Sequence, residues 1–182
     1  ELALRLEWND RFSDQGEFAD ALAVEFPAEL SENDERPYFV FGEPGKPVSL
    51  WVWNAGSNTV EEQTSEGVAS RVAQSSQDLT GQAEFEAGRY TLVVARSLAS
   101  TDPADLQIPL GEFVPIAFAA WDGASGEQGS SGAIGTWQVI YLEQPVPLLG
   151  YAWVPATVLA AAGLELGIAR RVRNSAPKHG SR

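Results

Sequence analysis

The sequence predicts an all-β fold, an antiparallel β-sandwich, followed by one C-terminal transmembrane helix. Three observations predict it. Short segments alternate apolar and polar residues with a period of two, Gly, Pro, Asp and Ser clusters separate them, and no convincing amphipathic helical pattern lies between. The charge is divided: residues 1–145 hold 7 basic and 24 acidic side chains, residues 146–182 hold 5 and 1. Residues 148–169 carry a single ionisable group, Glu165, and the stretch is close to the roughly 20 residues needed to cross a bilayer.

Taken in order, "LALRLEW" sets Leu2, Leu4, Leu6 and Trp8 against Ala3, Arg5 and Glu7, the pattern of a strand with one buried face. The chain enters this pattern at once, so further N-terminal sequence of the same domain is expected before Glu1. "ADALAVEF" repeats the alternation, and "SENDER" reads as a polar loop. "PYFVFGEPGKPVSLWVWN" packs aromatic residues around a turn marked by Gly42 and Gly45. Further strands are expected over 48–54, 68–74, 89–97, 113–121 and 133–142. The loop "DGASGEQGSSGAIG" has glycine at 123, 126, 129, 132 and 135. A strand rather than a helix is expected after it, so it is read as a hairpin connection and not a phosphate loop.

Within 148–169, Tyr151 and Trp153 stand at one end. Arg170, Arg171 and Arg173 stand at the other, with Lys178 and Arg182 beyond. By the positive-inside rule this places the tail in the cytoplasm and the acidic body outside. The expected organisation is a 1–145 extracytoplasmic β-domain, a 146–173 anchor and a 174–182 basic tail, in a single-pass protein of the cell membrane.

Composition excludes several functions. Without cysteine there are no disulfides, thiolate metal sites or cysteine nucleophiles. The one histidine, His179, lies in the tail, so a Ser-His-Asp site is not assembled and a non-catalytic chain is expected. The acidic body argues against nucleic acid, whose phosphates call for Lys and Arg. No metal site is assigned.

The order "LALRLEWND", "FADALAVEFP", "RPYFVFGEPGKPVSLWVWNA", "GRYTLVVARSLAS" and "FVPIAFAAWDGASGEQGSSGAIGTWQVIYLE" resembles the ethylbenzene dehydrogenase gamma-subunit family across residues 2–143. The family includes haem b subunits of molybdoenzymes. The resemblance implies a DOMON-like β-sandwich, a haem b pocket lined by aromatic residues (here Trp51, Trp53 and Trp137), and partner subunits in a respiratory or molybdoenzyme-type electron-transfer complex.

In the family, the two axial ligands are a Met and a Lys. The positions that match are Phe41 and Gly132, so both ligands are replaced, and the chain is read as a haem-less accessory subunit with no cofactor of its own. Lys46, the body's single lysine, is the candidate donor in the alternative of a functional haem b subunit with unconventional ligands. A second alternative is a surface carbohydrate-binding module, which requires tryptophans exposed on a flat sheet face.

Overall fold

A computed structural model describes residues 1–30, 35–100, 102, 105–145 and 153–175 of the chain. They form strands β1 (Leu2–Asn9), β2 (Ala21–Pro27), β3 (Val48–Asn54), β4 (Thr59–Ser65), β5 (Val72–Ala73), β6 (Thr80–Glu86), β7 (Arg89–Arg96), β8 (Phe113–Trp121), β9 (Ala133–Ile134) and β10 (Gln138–Tyr141), and helix α1 (Trp153–Ser175). The chain divides into two units, Glu1–Glu143 and Gln144–Arg182.

The first unit is built of two antiparallel sheets. One has the order β1-β7-β6; the other runs β10-β8-β2-β3-β4-β5, with β9 also paired to β8. Strands with strong alternation form where the pattern places them. Two others do not announce themselves. β4, "TVEEQTS", and β6, "TGQAEFE", carry few apolar residues, and their partners rather than their own composition hold them. Each is one arm of a hairpin. β6 and β7 are joined by Ala87 and Gly88, both left-handed at φ 50° and 77°, as a two-residue primed turn requires.

The strand expected over 68–74 contracts to Val72–Ala73. The stretch 133–142 splits into β9 and β10, because between them the Gly135 amide donates to the Phe118 carbonyl at 2.8 Å and Trp137 Nε1 donates to the Pro37 carbonyl at 2.7 Å.

The larger sheet buries both faces. Toward the three-stranded sheet it sends Leu22, Val24, Phe26, Trp51, Trp53, Val114 and Ile116, which pack with Leu2, Tyr90, Leu92 and Val94 as the inner core. On the opposite face Ala23, Val48, Leu50, Ala119 and Trp121 form an outer layer, closed by Phe41 and flanked by Val40, Val68, Ile134 and Trp137. This two-sided burial explains why β2 reads as a near-continuous apolar run.

One charged assembly lies inside. Arg96, with a fully buried side chain, donates to Glu62 at 3.3 Å and Asp105 at 3.1 Å, and its guanidinium lies 5.6 Å from the Trp51 ring centroid. Burial raises the Glu62 pKa, Arg96 opposes that shift and Asp105 adds to it.

The C-terminal helix starts at Trp153 and continues to Ser175, so Arg170, Arg171 and Arg173 are part of it rather than beyond it. Pro155 falls in the first turn, where its missing N–H is tolerated. The apolar part, 153–169, spans roughly 25 Å against a hydrocarbon core of about 30 Å, and Glu165 interrupts it. No helix among the described residues is long and apolar enough to cross a membrane. The expected span over 148–169 is therefore not met by α1 alone. Tyr151, His179 and the tail beyond Ser175 lie outside the described residues.

Candidate functional site

The six residues singled out in the sequence fall into different places. Strand alternation separates them: β3 turns Val48, Leu50 and Val52 to the outer layer and Trp51 and Trp53 to the inner core. Trp51 is 1% exposed and packs on Phe26 at 4.8 Å. Trp53 meets Trp8 and Tyr90 edge-on at 5.7 and 5.1 Å and donates from Nε1 to Asn58 Oδ1 at 2.9 Å. Neither faces Phe41. Among the six, Phe41, Gly132 and Trp137 share the outer layer, and the group that joins them is Trp121, which the motif reading did not single out.

Phe41 is fully buried and stacks on Trp121, with centroids 5.7 Å apart and planes 20° apart. Its backbone sits at φ 64°, a left-handed conformation unusual for a bulky residue. The Gly67 amide holds its carbonyl at 2.7 Å. The Arg71 guanidinium covers both rings, 5.6 Å from Phe41 and 5.4 Å from Trp121. Trp121 Nε1 donates to the Gly129 carbonyl at 2.9 Å.

Gly132 lies against the same indole. A Cβ there would stand 2.4 Å from the Ala120 carbonyl oxygen and 2.6 Å from Trp121 Cδ1, so the indole takes the space any side chain at this position would need. A groove of about 200 Å³ opens beside Arg71 and Trp121, bordered by Glu17, Asn54 and Glu127.

Beneath Phe41, on central strand β2, is Glu25. It is 1% exposed, and among the described residues its carboxyl oxygens have no well-aligned hydrogen-bond partner, the Phe41 backbone amide being the one donor nearby. Burial pushes its carboxyl up to about 8, opposed only by the backbone amide of Phe41. Sequence offered one signal for it, a single charge inside the apolar run "ALAVEFP".

A second acidic locus joins the β1–β2 loop to the loop after β8. Asp20, 1% exposed, accepts from the Asp14 amide and the Tyr90 hydroxyl at 2.8 Å and from the Gly123 amide at 2.9 Å. Asp122 accepts from Ala124 N and Ser125 Oγ, both at 2.9 Å. Ligand oxygens of Asp14, Asp20 and Asp122 lie within 4.8 Å of one another. Burial, then the charges of Asp20 and Asp122, raise the Asp10 pKa. Asp20's full set of hydrogen bonds makes it a clamp between the two loops.

Residues 64–133 match the ethylbenzene dehydrogenase family. The resemblance read from the motifs is thus found by comparison as well, over the stretch from β4 to β9 that contains Arg71, Trp121 and Gly132. The chain is 28% identical over 141 residues to a Haloferax mediterranei protein provisionally named respiratory nitrate reductase heme subunit ORF7, covering 75% of this chain and 50% of that one. It is 28% identical over 138 residues to chlorate reductase subunit gamma of Ideonella dechloratans, covering 73% and 56%. The chain spans about half the length of these relatives.

Haem iron takes an axial nitrogen, sulfur or phenolate donor aimed at it. Phe41 and Gly132 supply none, and the chain has no Met or Cys. Lys46 is about half exposed and paired with Glu35 at 3.3 Å and Glu43 at 3.9 Å. The described residues around the outer layer therefore do not fit a six-coordinate haem. They do not present a sugar-stacking platform either: Trp51, Trp53 and Trp121 are buried, and Trp8 and Trp137 half-buried.

Proposed function

We propose that this chain is a non-catalytic subunit of a molybdoenzyme-type electron-transfer complex, a relative of haem b gamma subunits that has given up the haem and kept the fold. The observation that carries this reading is the coupling of two facts at one place. The relatives are named as a nitrate reductase heme subunit and a chlorate reductase gamma subunit, and at the two positions matching the family's ligands this chain has Phe41 and a glycine whose side-chain space Trp121 fills. Losing both donors together fits a fold that outlives its site.

On this reading the β-domain lies on the extracytoplasmic side, periplasmic or extracellular, with attachment to the cell membrane through the 148–169 stretch, of which α1 supplies the part from Trp153, and a cytoplasmic C-terminus. Val158, Leu159, Leu164, Leu166 and Ile168 are all exposed on α1, and the arginines that follow suit an anionic cytoplasmic leaflet; both support that placement.

Isolation of the complex from detergent-solubilised membranes by a tag on this chain tests the reading. Co-purification with a molybdenum-containing catalytic subunit is the expected result, with no Soret band from this chain once it is separated. A chain that elutes alone from membranes in which such a complex is intact would overturn it. Stoichiometric low-spin haem b in the separated chain would overturn the haem-less part. Retention of the chain in the pellet after alkaline carbonate is expected for membrane insertion, and quantitative release would refute it.

A further inference from the structure

The outer face of the larger sheet is closed where Phe41 packs on β2, β3 and β8 and open at its β10 end. β10 ends the strand order of that sheet and pairs with β8, Val139 standing opposite Pro115 and Tyr141 opposite Phe113. Their neighbours Val114, Ile116 and Ile140 pack in the inner core, so strand alternation turns these four side chains outward. Phe113 is 70% exposed, Tyr141 50% and Val139 48%. The Phe113 and Tyr141 rings pack on each other at 5.1 Å. Two aromatic rings and a valine side by side on one face form a patch, not scattered surface residues.

Two further observations bear on what covers it. Residues 113–121 and 133–142 contain no charged side chain, in a body where residues 1–145 carry 7 basic and 24 acidic ones. This face can leave water without stripping a charge. Six residues, 142–147, separate Tyr141 from the apolar stretch 148–169. An extended chain covers at most about 3.6 Å per residue, so the end of β10 stays within about 25 Å of the start of that stretch.

We infer that this row is a membrane-docking surface, on which Phe113 and Tyr141, with Val139 and Pro115 beside them, rest against the headgroup layer of the bilayer that holds the 148–169 stretch. The inference rests on the membrane-anchored reading and adds which face of the β-domain meets lipid. Aromatic side chains are favoured at that depth, a tyrosine placing its ring at the acyl boundary and its hydroxyl in water. Glu112 and Glu143 flank the row at the strand ends and are exposed. They limit the contact to the headgroup level, because a carboxylate is costly in hydrocarbon.

The chain has no cysteine, so a single introduced one carries an environment-sensitive fluorophore without competition. The full chain is reconstituted into phosphatidylcholine–phosphatidylglycerol vesicles with the label at Val139→Cys in the row, at Ala3→Cys on the exposed side of β1, or at Leu159→Cys in α1. Iodide, present on both sides of the vesicles, quenches from water; nitroxide-labelled lipid quenches from the bilayer. The labels at 139 and 159 are expected to be quenched by the lipid, and several-fold less by iodide than the label at 3. Phe113→Ala combined with Tyr141→Ala should return the 139 label to iodide and leave the 159 label unchanged.

The 159 label reports the anchor and the 139 label reports docking. A 159 label in lipid with a 139 label as open to iodide as the one at 3 overturns the docking and leaves the anchor standing. A 139 label hidden from iodide but not reached by the nitroxide lipid shows that a second copy of the chain covers the row, and also overturns it. So does a 139 label that stays in lipid in the double-alanine variant. A 159 label open to iodide overturns the anchored reading and the docking with it.

Discussion

Gly132 offers the sharpest test of how the outer layer is packed. A Cβ at this position would approach the Ala120 carbonyl oxygen to 2.4 Å and Trp121 Cδ1 and Nε1 to 2.6 and 2.9 Å, against an ordinary separation of 3.4 Å or more. Neither neighbour can give easily. Ala120 sits in β8 opposite Leu22 of β2, and the Trp121 indole is fixed by its hydrogen bond to Gly129 and by the Phe41 stack. Overpacking of this kind costs about 1–3 kcal/mol. Pushing the indole aside also weakens its half-buried hydrogen bond to Gly129, worth about 1 kcal/mol.

Gly132→Ala is therefore expected to lose about 2–4 kcal/mol in urea denaturation followed by tryptophan fluorescence. Gly16→Ala, with nothing within 4 Å of the added Cβ, should change stability by less than about 0.5 kcal/mol. A cost under about 0.5 kcal/mol for Gly132→Ala would refute the claim that Trp121 occupies the side-chain space. By the same reasoning Phe41→Met combined with Gly132→Lys should not create a haem site, and titration with haemin should show no low-spin band.

Three further outcomes follow from polar groups in the core and at its edge. Glu25 has a folded pKa of about 8 against an ordinary 4.5, so the stability tied to its neutral form is complete below about pH 4.5 and is lost as pH rises to 8. The stability of Glu25→Gln relative to the unmodified chain should rise by about 3 kcal/mol between pH 4 and pH 7, at about 1.4 kcal/mol per pH unit above 4.5; equal pH slopes in urea titrations would refute this. Arg96→Ala leaves Glu62 and Asp105 buried without their cation, and a loss of about 3–5 kcal/mol is expected by thermal or urea denaturation. Asn58 accepts from Trp53 Nε1 of its own sheet and ties the β3–β4 turn to the other sheet through the Ala83 amide and carbonyl. Asn58→Ala should cost about 2–3 kcal/mol in the same measurement, and a cost under about 1 kcal/mol would show that the three bonds are not acting together.

What the sequence revealed depends on which signal each part of the fold emits. Strands β1, β2, β3, β7 and β8 bury at least one face, so their alternation or apolar runs were legible. β4 and β6 depend on pairing to neighbours that are close only in space, and the acidic residues that fill them read as loop. The family resemblance was legible because the order of several weak motifs is improbable in combination, although no single one carries it.

The candidate site was harder for a geometric reason. Aromatic residues close in sequence were grouped as one pocket, but a strand sends neighbours to opposite faces, and Trp51 and Phe41 end in different cores. The residue that joins the outer layer, Trp121, lies 80 positions from Phe41 and shows in the sequence only as one more apolar strand end. Gly132 carries the clearest trace of that arrangement: a glycine at this position makes physical sense once an indole fills the space a side chain would need. Phe41 and Gly132 are therefore one packing unit, in which Phe41 stacks on Trp121 and the glycine leaves the indole its space. This is why a single substitution at either position, Phe41→Met or Gly132→Lys, should leave the layer shut.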